Sequence, residues 1–418
     1  MSDPDLLVIG AGVAGIAAAR LARAAGATVQ VLEARGRIGG RVETDHSLGA
    51  PFDLGARWLH DAEANPLAHL APGLGIGLAD ADALRQEATW IDGRPATPAE
   101  TAEYDAAFAA FEATLAARAA AGGPDIAVAE AAPRGGPWDA TIAAWQGDII
   151  CAAPLAGMSL ADYQANLLGG RNLLPEGGMA ALVARLAEGL PVACDATVAR
   201  LRWGGRAAVA EGNFGTLRAR AVVCTLPTAL LAGDAIRFDP PLPAEVRQAA
   251  ADLPLGGVLK VGLRAAGPDR LGIAPFTSID RRVAPGEDLV TMGFWPFGHD
   301  HVACHVGGGT AAALEAEGDG AAEAFMRAEL ARRFGHAAPR AFRPGALVSR
   351  WGRDPLARGV YTHARVGRAG ARAVLARPLA GGRLCLAGEA CHPTLSGTVG
   401  GAWISGEAAA RAALGVPA

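Results

Sequence analysis

The sequence predicts an α/β fold in which a parallel sheet is assembled from separate stretches of chain, with a second, α+β part interleaved between them. Three observations predict it. The stretch 6–41 reads as strand, tight glycine turn, helix and second strand. The apolar run Ala221-Val222-Val223-Cys224, ending at Thr225-Leu226-Pro227, reads as another buried parallel strand. Near the C-terminus, Gly397-Thr398-Val399-Gly400-Gly401-Ala402 reads as a glycine-rich helix start. At 418 residues, 51% of them hydrophobic, the chain can fill two cores. The expected division is 1–75, 190–240 and 378–418 for the first part, and 76–189 and 241–377 for the second.

The first element is the most specific. After Leu6-Leu7-Val8-Ile9 comes Gly10-Ala11-Gly12-Val13-Ala14-Gly15. In this spacing Gly10 makes the turn, Gly12 lets a pyrophosphate approach the backbone, and Gly15 lets helix and strand pack closely. The helix then offers unpaired N–H groups, Val13 and Ala14 among them, and a positive dipole end to the phosphates. Glu33 closes the second strand, where an acidic side chain can bind a ribose hydroxyl. An ordinary glycine-rich turn would leave Glu33 unexplained, so a Rossmann-like dinucleotide site is the better reading. The continuation Glu33-Ala34-Arg35-Gly36-Arg37-Ile38-Gly39-Gly40-Arg41 adds a second basic glycine turn able to reach the pyrophosphate or the chain beyond it. Here the chain resembles the flavin-dependent amine oxidase superfamily, which comprises monoamine oxidases, polyamine oxidases and lysine-specific histone demethylases. The match is closest to soluble polyamine oxidase-like members. The resemblance implies FAD as cofactor.

Composition excludes several classes. The net charge is −4 with no long run of one sign, which argues against nucleic acid. Six cysteines contain no CxxC pair and read as mostly buried thiols of a reducing compartment. No signal peptide precedes the first strand and no apolar run approaches the about 20 residues that span a bilayer. A cytoplasmic protein without a membrane segment is expected. One count is unusual: Lys260 is the only lysine among 38 basic residues. A position that keeps lysine in an arginine-rich chain suggests a need for a compact amine whose pKa can shift.

In order, Asp53-Leu54-Gly55-Ala56-Arg57-Trp58-Leu59-His60 resembles the family run that passes along the flavin ring. The resemblance implies flavin contacts at Gly55, Ala56, Arg57 and Trp58, and places His60 near the substrate. L-Amino-acid oxidases have a carboxylate-binding arginine at the place that aligns with Trp58, so an α-amino acid substrate is not expected. The stretch 101–121 reads as an alanine-rich helix with Phe108, Phe111 and Leu115 as core contacts. Trp138, Trp145, Met158 and Tyr163 belong to a helical roof over the substrate cavity. Polyamine oxidases place acidic residues in this roof; Cys151-Ala152-Ala153-Pro154 offers none, which argues against a polycationic substrate.

Pro175-Glu176-Gly177-Gly178 resembles the family's return to the flavin part, and Val198 matches a residue whose backbone meets the adenine. Gly257-Val258-Leu259-Lys260-Val261-Gly262-Leu263 alternates as a strand with Lys260 beside Val258 and Gly262 on one face. Further strands are expected at 275–280, 288–295 and 301–306, in a mixed or antiparallel sheet. Met292, Phe294, Trp295 and Phe297 read as a pocket wall or, equally, as core. His299, His301, Cys304 and His305 raise a metal site, but residues i and i+4 of a strand lie about 13 Å apart, and surface or loop histidines are the better reading. A polar-faced helix is expected over 311–334.

Arg350-Trp351-Gly352-Arg353-Asp354-Pro355 and Gly359-Val360-Tyr361-Thr362 resemble a further family segment. It implies that Trp351 flanks the flavin, that Tyr361 walls the substrate, and that Val360, standing where covalent members carry cysteine, leaves the FAD non-covalent. Gly388-Glu389 and Thr398-Val399-Gly400-Gly401-Ala402 match the family's ending, with the helix aimed at the flavin. The lysine on the Lys260 strand is implied to hold a water against flavin N5. The expected function is therefore FAD-dependent oxidation of a small-molecule amine by hydride transfer, with oxygen as acceptor and hydrogen peroxide as product. A desaturase or dehydrogenase of the same fold using another acceptor, and a non-catalytic flavin-binding protein, are the alternatives.

Overall fold

The computed structural model describes residues 3–417. Its first sheet is five-stranded and wholly parallel, in the order Leu384–Leu386, Ala221–Cys224, Leu6–Ile9, Val29–Leu32, Val192–Ala193. Its strands are short and apolar because both faces are covered. Leu6, Val8, Val31 and Val223 face one core; Leu7, Leu32, Val222 and Cys224 face another. Helix Val13–Ala24 packs against the C-terminal helix Val399–Leu414, whose Gly406 leaves no room for a Cβ against the carbonyl of Ala14. A four-stranded sheet follows, Gly215–Ala219, Ala208–Gly212, Val198–Arg202, Arg237–Asp239.

The largest sheet runs Leu347–Val348, Val258–Arg264, His301–Gly307, Val290–Phe294, Thr277–Arg281, Gln86–Ile91, Arg94–Pro95. It is antiparallel except where Thr277–Arg281 meets Gln86–Ile91. Period-two alternation divides it sharply. Leu259, Val261, Leu263, Val302, Cys304, Met292 and Ile279 pack on Met326 and Leu330 of helix Asp319–Phe334. The opposite face is polar and is described below. Residues 98–165 supply helices, beginning with Pro98–Ala120, whose N-terminus is closed by a Thr97–Glu100 capping box.

Two expectations change, and one open choice is decided. The helix expected over 311–334 is two, Gly308–Glu317 and Asp319–Phe334, because Gly318 takes φ 102°. Met292, Phe294 and Trp295 belong to the core on the apolar face; only Phe297 of that group lines a cavity. The histidines are not superficial: His301 is 1% exposed and His305 lies in the centre of the sheet. Among the described residues, no three or more His, Cys, Asp or Glu side chains are grouped to hold a metal ion. Cys224, Cys304, Cys385 and Cys391 are buried free thiols. No helix among the described residues is long and apolar enough to cross a membrane.

Candidate active site

The two glycine turns meet face to face. Gly10 and Gly39 both take φ 99°, Gly39 N–H donates to Ala11 O at 2.9 Å, and a Cβ on Gly40 would stand 3.3 Å from Gly12 Cα. Gly15 has no space for a Cβ above the carbonyl of Gly10. Helix Val13–Ala24 starts with no side chain capping its first N–H groups, those of Val13, Ala14 and Gly15. Glu33 is 6% exposed; its carboxylate accepts from Ala11 N–H and Arg35 N–H, each at 2.8 Å. Beyond Ala34, Ala196 N–H donates to Glu33 O at 2.8 Å, bringing the strand that starts at Val198 to the same edge.

Arg35 does not reach out from this turn. Its guanidinium is bidentate to Asp354, both contacts 2.7 Å, which ties the turn to the Trp351 segment. Arg41 donates to Val360 O and, at 3.1 Å, to Glu389. Glu389 is a junction: it also accepts from Thr362 Oγ1 at 2.7 Å and Gly397 N–H at 3.0 Å. Burial opposes its charge, but Arg41, Arg372 and these donors hold its carboxyl below the usual range. Arg372, 2% exposed, completes the network by a bidentate pair with Asp162 and a bond to Thr362 Oγ1 at 2.8 Å.

Gly388 takes φ 145°, its N–H donates to Ser405 Oγ at 2.8 Å, and a Cβ placed on it would meet nothing within 4 Å. Thr398 caps the C-terminal helix by accepting from Gly401 N–H at 2.9 Å, so Val399 opens the helix and Ala402 lies in its first turn. Gly55 lies tightly under Trp351, whose Cζ2 would be 3.1 Å from an added Cβ; Trp351 Nε1 donates to Leu54 O at 2.8 Å, and Ala56 N–H to Arg41 O at 3.1 Å. The open space beside Gly388, the uncapped helix start, the paired glycine turns and the buried Glu33 fit an FAD.

Lys260 comes from the large sheet. Its Nζ donates to Gly55 O at 2.5 Å and Asp53 O at 3.2 Å. Burial pushes its pKa down to about 8, with Arg57 adding to the effect and Asp53 opposing it. Across the sheet Lys260 pairs with His305 and His305 with Thr291. Asp280 follows Ile279, which pairs with Met292, so Lys260, His305, Thr291 and Asp280 form one row on the polar face. Asp280 was not singled out by the sequence; the alternation of Thr277 and Ile279 against Ser278 and Asp280 was the available signal. Burial raises its pKa to about 6, and Oδ1 has no partner among the described residues.

His60 is fixed by Asn172, with Nδ1 2.7 Å from Asn172 Oδ1, and Asn172 Nδ2 donates in turn to Asp82 at 3.1 Å. Asn172 Oδ1 is therefore the acceptor, so Nδ1 carries the proton and Nε2 is left to accept. Burial lowers the imidazole pKa, more than the Asn172 bond raises it. Trp58 stacks on His60 at 6.0 Å, and the guanidinium groups of Arg57 and Arg85 stand 5.5 and 5.9 Å from its ring. The Arg57 side chain itself lines a cavity with Lys260. Tyr361 donates its hydroxyl to Ile150 O at 2.9 Å and packs beside Gly397. His60 is tied to the start of the C-terminal helix through Asn65, whose Nδ2 donates to His60 O at 3.0 Å and which stands against Gly400, and Tyr361 is tied to it through Gly397.

Comparison with known proteins gives one answer. The family model for flavin containing amine oxidoreductases matches residues 13–414. The chain is 29% identical to polyamine oxidase 5 of Oryza sativa subsp. japonica, covering 98% of this chain and 87% of that one. It is 27% identical to lysine-specific histone demethylase 1 homolog 1 of the same organism, over 97% of this chain and 52% of that one. A triple mutant of putrescine oxidase, redesigned in its cofactor binding, superposes with a TM-score of 0.80 at 22% identity, covering 97% and 98% of the two chains. The chain belongs to the flavin containing amine oxidoreductase family.

Proposed function

We propose that the protein oxidises the carbon next to an amine nitrogen, giving an imine that water hydrolyses to an aldehyde, with oxygen as the final acceptor and hydrogen peroxide as product. Bound FAD supplies the hydride acceptor. The observation that carries the reading is the placement of Lys260: the chain's only lysine is partly buried with its Nζ on the carbonyl of Gly55, within the backbone run under Trp351. With a pKa near 8, its Nζ can hold a proton at neutral pH and exchange it at little cost. His60, neutral and with Nε2 as acceptor, suits the removal of the proton that an ammonium substrate must lose. Tyr361 is one aromatic wall. The other wall positions, Leu395 and Thr398, are not aromatic.

Val360 has no nucleophile and its carbonyl is held by Arg41, so FAD is bound without a covalent link. Binding is assigned to the glycine turns, Glu33, the Gly55–Trp58 run, Val198, Trp351 and the Gly388 to Ala402 region. The flavin part comprises 1–75, 190–240 and 378–418, the substrate part 76–189 and 241–377. For the substrate, a second cationic group is favoured by Asp280. It stands three strands from Lys260 in the same row, about 14 Å at the usual strand spacing. The Cys151–Pro154 segment of the roof offers no acid, so this reading gives that role to Asp280 on the sheet. Oxygen uptake and peroxide release with linear diamines, polyamines and benzylamine test the reading. Peroxide equal to oxygen consumed, fastest with diamines or polyamines, supports it. Flavin reduction without reaction with air makes the protein a dehydrogenase.

A further inference from the structure

Three successive backbone N–H groups ahead of the C-terminal helix each have their own acceptor. Leu395 N–H donates to His392 Nδ1 at 3.0 Å, Ser396 N–H to Asn166 Oδ1 at 2.8 Å, and Gly397 N–H to Glu389 at 3.0 Å. On its other side the segment lies against the helix. Leu395 O leaves no room for a Cβ on Gly401 and accepts from Thr398 Oγ1 at 2.8 Å. His392, Glu389 and Thr398 are near neighbours in sequence. Asn166 comes from far away: it ends helix Leu160–Ala165, 230 residues before Ser396. Its Nδ2 donates back to that helix, to Asp162 O at 2.9 Å and Asp162 Oδ1 at 3.2 Å. Those local bonds are all that closing a helix requires. The bond to Ser396 does something further, fastening the Leu395 segment to this helix.

The Tyr361 segment is fastened to the same helix. The Asp162 carboxylate is bidentate to Arg372, at 2.6 and 2.8 Å, and accepts from Ala364 N–H at 3.0 Å. Arg372 donates in turn to Thr362 Oγ1 at 2.8 Å. Asp162 and Arg372 are both buried, and a satisfied buried network of this kind holds its members rigidly. Tyr361 and Leu395 are thus both referenced to one carboxylate, the first through Arg372 and Thr362, the second through Asn166. We propose that Asn166 is a positioning residue that sets the separation of Tyr361 and Leu395, and so selects between slender and bulky amines. The proposal rests on the amine oxidase reading, in which these two residues hold the wall positions. Loss of the Asn166 side chain takes this acceptor from Ser396 N–H, while Arg372 still holds the Tyr361 side. The slot therefore yields at Leu395, admitting a flat ring more easily and touching a linear chain less closely. Displacements of this size at a wall are enough to change discrimination between substrates.

Two comparisons of FAD-loaded wild type with Asn166→Ala test this. In the first, kcat/KM is measured for a linear diamine and for benzylamine. The ratio of the two is expected to move at least about fivefold toward benzylamine in the variant. A ratio that stays the same, whether both constants hold or both fall together, overturns the proposal, and so does a move toward the diamine. In the second, exchange of the Ser396 amide hydrogen is followed by mass spectrometry without any amine present. It is expected to be at least about tenfold faster in the variant. Equal exchange rates show that Asn166 does not hold this segment and overturn the proposal. Where Asn166→Ala does not fold, Asn166→Ser, polar but too short to reach Ser396, replaces it in both comparisons with the same results expected. A wild type that oxidises neither amine removes the amine reading and the slot with it. An unchanged ratio in an active enzyme removes the proposal alone.

Discussion

Replacing Lys260 with methionine separates what the buried ammonium costs the fold from what it gives the chemistry. The folded-state pKa is about 8 against an ordinary 10.5. At 1.36 kcal/mol per unit, wild type carries about 3 kcal/mol of burial cost below pH 8. The sign follows from proton counts: between pH 8 and 10.5 the unfolded chain binds more protons than the folded one, so wild-type stability gains this amount as pH rises through the window. Methionine has no proton to lose, and all other groups are common to both proteins. Denaturant unfolding of both from pH 7 to 10.5 should therefore give a stability difference that moves by about 3 kcal/mol in favour of wild type as pH increases. The same variant should retain FAD and slow flavin reduction, reoxidation or both by at least about tenfold. Lys260→Arg should not restore the rate, since guanidinium is planar, larger and stays protonated. Parallel stability curves would show that the ammonium is not buried. Unchanged stopped-flow rates would remove it from the reaction.

Acid precipitation should release all the flavin into the supernatant, because Val360 offers no thiol for a bond; flavin in the pellet contradicts this. Glu33→Ala should weaken FAD in an equilibrium titration by about 1.5–3 kcal/mol, the worth of a hydrogen bond to a charged group. Arg372→Ala strands the carboxylate of Asp162 in a buried site and should cost about 3–5 kcal/mol in thermal or denaturant unfolding; a loss under about 1 kcal/mol would mean that the pair is solvated.

What could be read in advance was local or periodic. Gly10, Gly12, Gly15 and Glu33 announce themselves because turn, helix start and strand end lie within one short stretch. Lys260 could be placed because strand alternation fixes its face, and because lysine is otherwise absent. The junction at Glu389 could not be read so. Its partner Arg41 is 348 residues away in sequence, Arg372 of the same network pairs with Asp162 across 210 residues, and nothing in an isolated arginine names its carboxylate. Arg35 illustrates the same limit: its ion pair with Asp354, a residue of a distant segment, could not be named from its position in a basic turn. His301 and His305 read as surface or loop histidines, yet His301 is 1% exposed and His305 is paired with Lys260 on one side and Thr291 on the other. Asp280, proposed to meet a second ammonium, stands on the sheet rather than in the roof, and only strand alternation pointed to its face. The helix expected over 311–334 was split by one glycine with positive φ, a conformation that apolar periodicity does not encode.

The most direct measurement mixes the FAD-loaded protein anaerobically with single amines and follows flavin absorbance in a stopped-flow instrument. Bleaching by a linear diamine or polyamine, at a rate that saturates with amine concentration and falls at least about tenfold in Lys260→Met, is the predicted result. A flavin that stays oxidised with every mono-, di- and polyamine would contradict amine oxidation as the function of this chain.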